Sequence, residues 1–162
     1  MKVRTLALAA VAVLATALPA QQKPSFAGQW TLIADPNAPP GRGRGGGMFG
    51  GLGQAATITQ DEKTITITRT TQAGEIKYVY NLDGSESKNT VTMGGNAVEL
   101  VSHAKWEGDK LVITTTTQMG GNPVEIRMVL SLDAEGNLVV ENTAPGRGGG
   151  GPVTTTTKYK KG

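Results

Sequence analysis

Residues 64–82 read Thr64-Ile65-Thr66-Ile67-Thr68-Arg69-Thr70-Thr71-Gln72-Ala73-Gly74-Glu75-Ile76-Lys77-Tyr78-Val79-Tyr80-Asn81-Leu82. On both sides of Ala73-Gly74 large or apolar residues alternate with polar ones, the period of a half-buried strand. Two such runs joined by a tight turn can only lie antiparallel, as a hairpin.

The same grammar continues in both directions. Strands are predicted over Phe26–Ala34, Ala55–Gln60, Thr64–Gln72, Glu75–Leu82, Asn89–Met93, Val98–Trp106, Lys110–Gln118, Val124–Leu132, Leu138–Thr143 and Val153–Lys160. Tight connections such as Asp61-Glu62-Lys63, Gly94-Gly95-Asn96, Glu107-Gly108-Asp109, Gly120-Gly121-Asn122 and Glu135-Gly136-Asn137 leave no room for crossover helices, which excludes a parallel α/β fold. A 26-residue repeat supports the register: Met93-Gly94-Gly95-Asn96-Ala97-Val98-Glu99-Leu100 returns as Met119-Gly120-Gly121-Asn122-Pro123-Val124-Glu125-Ile126, as a duplicated hairpin would. Threonine occurs 21 times and glycine 23 times in 162 residues, a composition that itself favours strands and turns.

Ten meandering strands would leave two long edges unless the sheet closes. The expected fold is all-β: an antiparallel up-and-down meander closing into a barrel of eight to ten strands, with a β-sandwich of the same hairpins as the alternative. The apolar face (Ile76, Tyr78, Tyr80, Leu82; Val98, Leu100, Ala104, Trp106; Ile126, Met128, Leu130, Leu132) points inward, and Thr66, Thr68, Lys77, Glu99, Lys105 and Glu125 point out. A membrane barrel would show the reverse.

Residues 1–20 carry Lys2 and Arg4, an apolar run from Leu6 to Leu18, and Pro19-Ala20. This is the pattern of a secretory signal, too short to span a bilayer. The expected organisation is therefore a signal peptide over 1–20 and a single barrel domain over 21–162, periplasmic or extracellular, with no transmembrane segment in the mature chain. Gly/Arg-rich loops interrupt it at 36–53 and 145–152. Without the leader the 16 basic residues become 14, against 13 acidic ones, so no basic face suggests nucleic acid.

There is no cysteine and one histidine. That excludes disulfides, thiol nucleophiles, Cys-based zinc sites and two-histidine sites within one chain. His103 has outward parity and reads as a surface residue. No nucleophile elbow, P-loop or dinucleotide fingerprint occurs, so the chain reads as a non-enzyme with no cofactor and no metal.

In a meander alternate connections share an end. Every glycine-rich loop therefore falls at one rim, with Arg42, Arg44 and Arg147, and the acidic turns fall at the other. The inward face divides likewise. Near the acidic end it is apolar, including Phe26, Trp30, Ile65, Leu111, Leu130, Leu138 and Tyr159. Nearer the glycine-rich end it carries Arg69, Thr71, Tyr78, Thr115, Thr117, Asn142, Thr155 and Thr157. Only Gln60 falls on the wrong side.

An apolar floor below a polar-lined chamber suits a small amphipathic ligand. The candidate binding residues are Arg69, Tyr78, Tyr80, Thr115, Thr117 and Asn142 in the chamber, Met93 and Met119 at the rim, and Arg42, Arg44 and Arg147 on the loops. The expected ligand is a small hydrophobic or amphipathic molecule, with an anionic head favoured by Arg69. Its tail is expected to point down toward Trp30 and Trp106, and Met48 and Phe49 could plug the mouth. The alternative is a structural or protein-interaction module of the cell envelope; the sequence names no protein partner.

Phe26-Ala27-Gly28-Gln29-Trp30 resembles the Gly-x-Trp first-strand motif of lipocalins. Lys105-Trp106-Glu107-Gly108-Asp109-Lys110-Leu111 and the ending Thr155-Thr156-Thr157-Lys158-Tyr159-Lys160 resemble corresponding parts of fatty-acid-binding proteins. The chain is also similar to small bacterial secreted proteins that open with Phe-x-Gly-x-Trp. The resemblance implies a lipocalin-like (calycin) barrel around a small apolar molecule. Two features depart from it: a Gly/Arg loop replaces the helical lid, and Thr157 stands where fatty-acid-binding proteins carry a carboxylate-clamping arginine.

Overall fold

A computed structural model describes residues 23–34, 51–71, 74–93, 95–119, 121–146 and 150–162. The leader expected over 1–20, and Arg42, Arg44, Met48, Phe49 and Arg147, lie outside the described residues. So do the side chains of Met93 and Met119.

Ten strands form: β1 Gly28–Leu32, β2 Ala55–Gln60, β3 Thr64–Thr71, β4 Gly74–Asn81, β5 Glu86–Met93, β6 Asn96–Glu107, β7 Lys110–Met119, β8 Asn122–Leu132, β9 Leu138–Ala144 and β10 Val153–Lys161. They make one antiparallel sheet in the order β4-β3-β2-β1-β10-β9-β8-β7-β6-β5. Every strand but one neighbours its sequence successor, and β1 joins β10, with Trp30 opposite Lys161 and Leu32 opposite Tyr159. This is the up-and-down meander; the two sheets of a sandwich do not form.

The sheet curls until β4 meets β5, and side chains rather than a backbone ladder join the two. Asn89 presents its amide edge-on to β4: Val79 N donates to Asn89 Oδ1 at 2.8 Å, and Asn89 Nδ2 donates to Val79 O at 3.0 Å. Asn81 N donates to Ser87 Oγ at 2.9 Å and Asn81 Nδ2 to the Glu86 carbonyl at 3.0 Å. This seam explains why β5 starts at Glu86 rather than at Asn89. Its inward positions Ser87 and Asn89 are polar, so no apolar alternation marks them, yet both are buried.

Strand β1 is shorter than expected, because residues 24–27 turn across the barrel base. Gln60, the misfit of the alternation, holds that segment: it accepts from Phe26 N at 2.9 Å and donates to Pro24 O at 3.2 Å. Trp30 Nε1 donates to the Phe26 carbonyl at 2.8 Å, which gives the buried indole its partner. The Phe26 ring stacks on Trp106 at 5.8 Å. Around them Ile58, Ile65, Leu111, Ile113, Leu130, Leu138, Val140 and Tyr159 are fully buried, forming the floor.

In the repeat Met93 lies opposite Asn96 and Met119 opposite Asn122. Gly95 and Gly121 take φ of 85° and 81°, a left-handed conformation that favours glycine. The turns are tighter than expected, so Pro123 enters β8 opposite Gln118. One expectation for the interior fails. Thr155 is exposed, because β10 faces solvent as it approaches the rim, while Thr157, nearer buried Tyr159, stays half-buried.

Candidate functional site

Above the floor, toward the glycine-rich rim, the barrel encloses a void of about 500 Å³ counted out through its mouth. Its walls are Gly51, Leu52, Ile67, Arg69, Tyr78, Tyr80, Leu100, Thr115, Ile126, Met128 and Asn142. Strand alternation places all but the first two: each strand offers every second residue to the lumen.

Arg69 defines the polar wall. It is only 9% exposed, and Ile76 and Ala56 lie opposite it on the neighbouring strands. Its Nη2 donates to the Tyr78 hydroxyl at 2.8 Å and its Nη1 to the Gly51 carbonyl at 2.9 Å. The guanidinium also lies 5.1 Å from the Tyr78 ring centroid, within cation–π range. Tyr80 stacks parallel to Tyr78 at 6.3 Å. Burial pushes the Tyr80 hydroxyl well above the usual phenol range, with Tyr78 adding to the rise and Arg69 opposing it. Tyr80 therefore stays protonated and available as a donor.

Across the lumen, Ser102 and Thr115 share a 2.8 Å hydrogen bond between hydroxyls, and Asn142 is buried on β9. Thr117 is also buried, with a hydroxyl that finds no partner, but it lies outside the cavity wall. Of the expected chamber residues, Arg69, Tyr78, Tyr80, Thr115 and Asn142 surround the void together. Met93 and Met119 have their backbones at the rim turns.

Trp30 and Trp106 do not line the void, which corrects the expected direction for a ligand tail. Trp30 is sealed in the floor and Trp106 is taken up by the Phe26 stack. The apolar wall is instead Leu52, Ile67, Leu100, Ile126 and Met128.

Gly51 and Leu52 are the site residues that alternation could not reveal. Leu52 is 1% exposed, and its backbone N donates to the buried Tyr159 hydroxyl at 3.0 Å. Gly51 and Gly53 flank it with φ of 77° and 82°. The one available signal was a lone leucine between glycines.

His103 is exposed, with Nδ1 3.1 Å from the Gly84 carbonyl. Among the described residues no cluster of three His, Asp or Glu could hold a metal ion, and no helix is long and apolar enough to cross a membrane. All five ion pairs described, such as Lys105–Glu107 at 3.0 Å and Arg127–Glu107 at 3.4 Å, involve residues of the outer face or the turns.

No protein-family model and no curated protein matches the sequence. Among solved structures the chain is similar to zebrafish ileal bile acid-binding protein complexed with cholic acid, at 19% identity. That match covers 85% of this chain and 98% of the other, with a TM-score of 0.55. The likeness establishes a fold shared with the fatty-acid- and bile-acid-binding barrels.

Proposed function

We propose that the protein is an exported, non-enzymatic binder that holds one small amphipathic molecule with an anionic head inside its barrel. The observation that carries this reading is a buried guanidinium in the wall of a cavity otherwise rich in aliphatic side chains. A charge so placed is expensive to keep away from water, and an anionic head against Arg69, with Tyr80 on the neighbouring strand and Thr115 and Asn142 on the facing wall, would use it. The tail would lie on Leu52, Ile67, Leu100, Ile126 and Met128, away from the sealed floor.

The fold supports the reading only by analogy, since one barrel hosts many functions. The similar zebrafish structure does hold cholic acid. The leader-like residues 1–20 support export to the periplasm or beyond. The void itself favours a binder over an envelope interaction module, which would have no need of one.

The test compares a fluorescent fatty acid on the wild type, on Arg69→Met and on the triple variant lacking Arg42, Arg44 and Arg147. Loop charges are screened within about 8 Å at physiological salt, so they should chiefly affect the association rate. Arg69→Met should lose at least tenfold in affinity. Equal, unchanged affinity in all three proteins would sink the anionic-ligand reading.

A further inference from the structure

The geometry points to Leu52 as the residue that sets ligand length, with a short-chain carboxylate as the molecule the cavity takes. This rests on the amphiphile-binding reading above, and it differs from that reading in what it says about size.

Leu52 belongs to a segment, residues 36–53, made mostly of glycine, proline and arginine. Yet it is one of the most deeply buried side chains in the barrel, at 1% exposure. Gly51 and Gly53 on either side take left-handed conformations, and between them one side chain is inserted into the lumen. Nothing in the strand pattern requires this insertion. It takes up space that the lumen would otherwise offer to a ligand.

The insertion is tied to both sides. Leu52 N donates to Tyr159 on β10, and the Gly51 carbonyl accepts from Arg69 on β3. Between those strands lie β2 and β1, and the inward residue of β2 at this level, Ala56, is small enough to leave room beneath. Pushing the segment aside would strand a buried N–H and a guanidinium donor together, which opposes displacement by an apolar tail.

What remains is small. The void reaches about 500 Å³ only when counted out through its open mouth, so the part enclosed beside Leu52 is smaller. With its head on Arg69, a chain of about four to eight carbons fits if its last atoms use the mouth, whereas a sixteen-carbon chain would extend beyond the enclosed room. One guanidinium matches one carboxylate in charge and in planar geometry, and the protonated Tyr80 hydroxyl suits the same head.

The experiment is calorimetric titration with butanoate, hexanoate, octanoate, dodecanoate and hexadecanoate, each below its micellar concentration. In the wild type, affinity should rise with chain length to about eight carbons and then stop rising or fall. Leu52→Ala should extend the rise by about three carbons and tighten hexadecanoate at least tenfold. Leu52→Val, which removes a single carbon, should extend it by about one and serves if the alanine variant fails to fold. An affinity that climbs through hexadecanoate in the wild type would overturn the length limit while leaving the binder intact. So would an unchanged length profile in a folded Leu52 variant. Failure of every carboxylate to bind the wild type and both variants would overturn the binder as well.

Discussion

Arg69 meets Tyr78 twice: Nη2 donates to the phenol oxygen at 2.8 Å while the guanidinium carbon sits 5.1 Å from the ring centroid. The hydroxyl and the ring face together fix the direction of a buried cation. Tyr78→Phe keeps the ring and removes the acceptor, so a charged donor loses its partner in a buried place. The expected cost is about 1–3 kcal/mol in urea denaturation. Tyr78→Phe should also weaken anion binding less than Arg69→Met does, since the charge remains. A Tyr78→Phe protein as stable as the wild type would show that the pairing is incidental.

Asn89 replaces a peptide group at the seam, and its loss should be felt on the other strand. Asn89→Leu removes both bonds to Val79 and leaves that backbone N–H and carbonyl facing β5 without partners. A destabilisation of about 1–3 kcal/mol is expected. Hydrogen exchange at the Val79 amide should accelerate far more than at Thr66, which sits opposite Val79 inside the intact β3–β4 ladder. Uniform acceleration across β3 and β4 would mean that the seam does not open locally.

Four turn and surface carboxylates lie below the usual range. Backbone N–H groups of Lys63 and Thr64 do this for Asp61, at 2.7 Å each. Hydrogen bonding by Ser85 does it for Asp83, and the Lys105 ammonium for Glu107. At Asp133 partial burial acts upward, but hydrogen bonds from Asn137 and Lys158 outweigh it. A carboxyl that is more acidic folded than unfolded stabilises above its unfolded pKa, and that stabilisation is lost as pH falls through the folded value. The urea midpoint should therefore hold steady from pH 7 to about 5 and decline below about 4. Asp61→Asn keeps an acceptor for both N–H groups without the ionisation, so its decline should be shallower. An equally steep acid limb in that variant would remove Asp61 from the account.

Gly28 takes φ of 148°, a conformation that other residues rarely adopt. A β-carbon there would fall 2.6 Å from Lys161 Cε, and Lys161 runs past to place its ammonium 5.7 Å from the Trp30 ring centroid. Gly28→Ala should cost about 1–3 kcal/mol, mainly as backbone strain. Adding Lys161→Ala should recover only the crowding. Full recovery in the double variant, read as the thermal midpoint, would contradict the backbone explanation.

Much of this was legible because period-two alternation and two-residue turns report directly on strand pairing. They placed ten strands and put Arg69, Tyr78 and Asn142 on the lumen side. The misses share a cause. Leu52 acts alone in a glycine-rich segment, so no periodicity marks it. Ser87 and Asn89 sit at inward positions yet are polar, because the sheet closes there through side chains. Gln60 broke the pattern for a tertiary reason, holding Pro24 and Phe26. The tail direction was misjudged because alternation shows which residues face inward, but not which of them already fill one another's space, as Phe26 and Trp106 do.

The seam also has a consequence for the order in which the chain is threaded. The first and last strands are laddered neighbours, and Gly162 N donates to the Gln29 carbonyl at 2.9 Å, whereas the consecutive strands β4 and β5 share no ladder. A laddered junction thus joins the first and last strands, and the junction without a ladder lies between strands that residues 82–85 connect in mid-sequence. A circular permutant that starts at Glu86, ends at Asn81 and links Gly162 to Lys23 would move the termini onto that junction. It would retain all nine ladders, and each terminal strand would become a natural edge. This barrel is a linear ribbon of strands, bent until its edges touch, with its first and last strands side by side near the ribbon's middle.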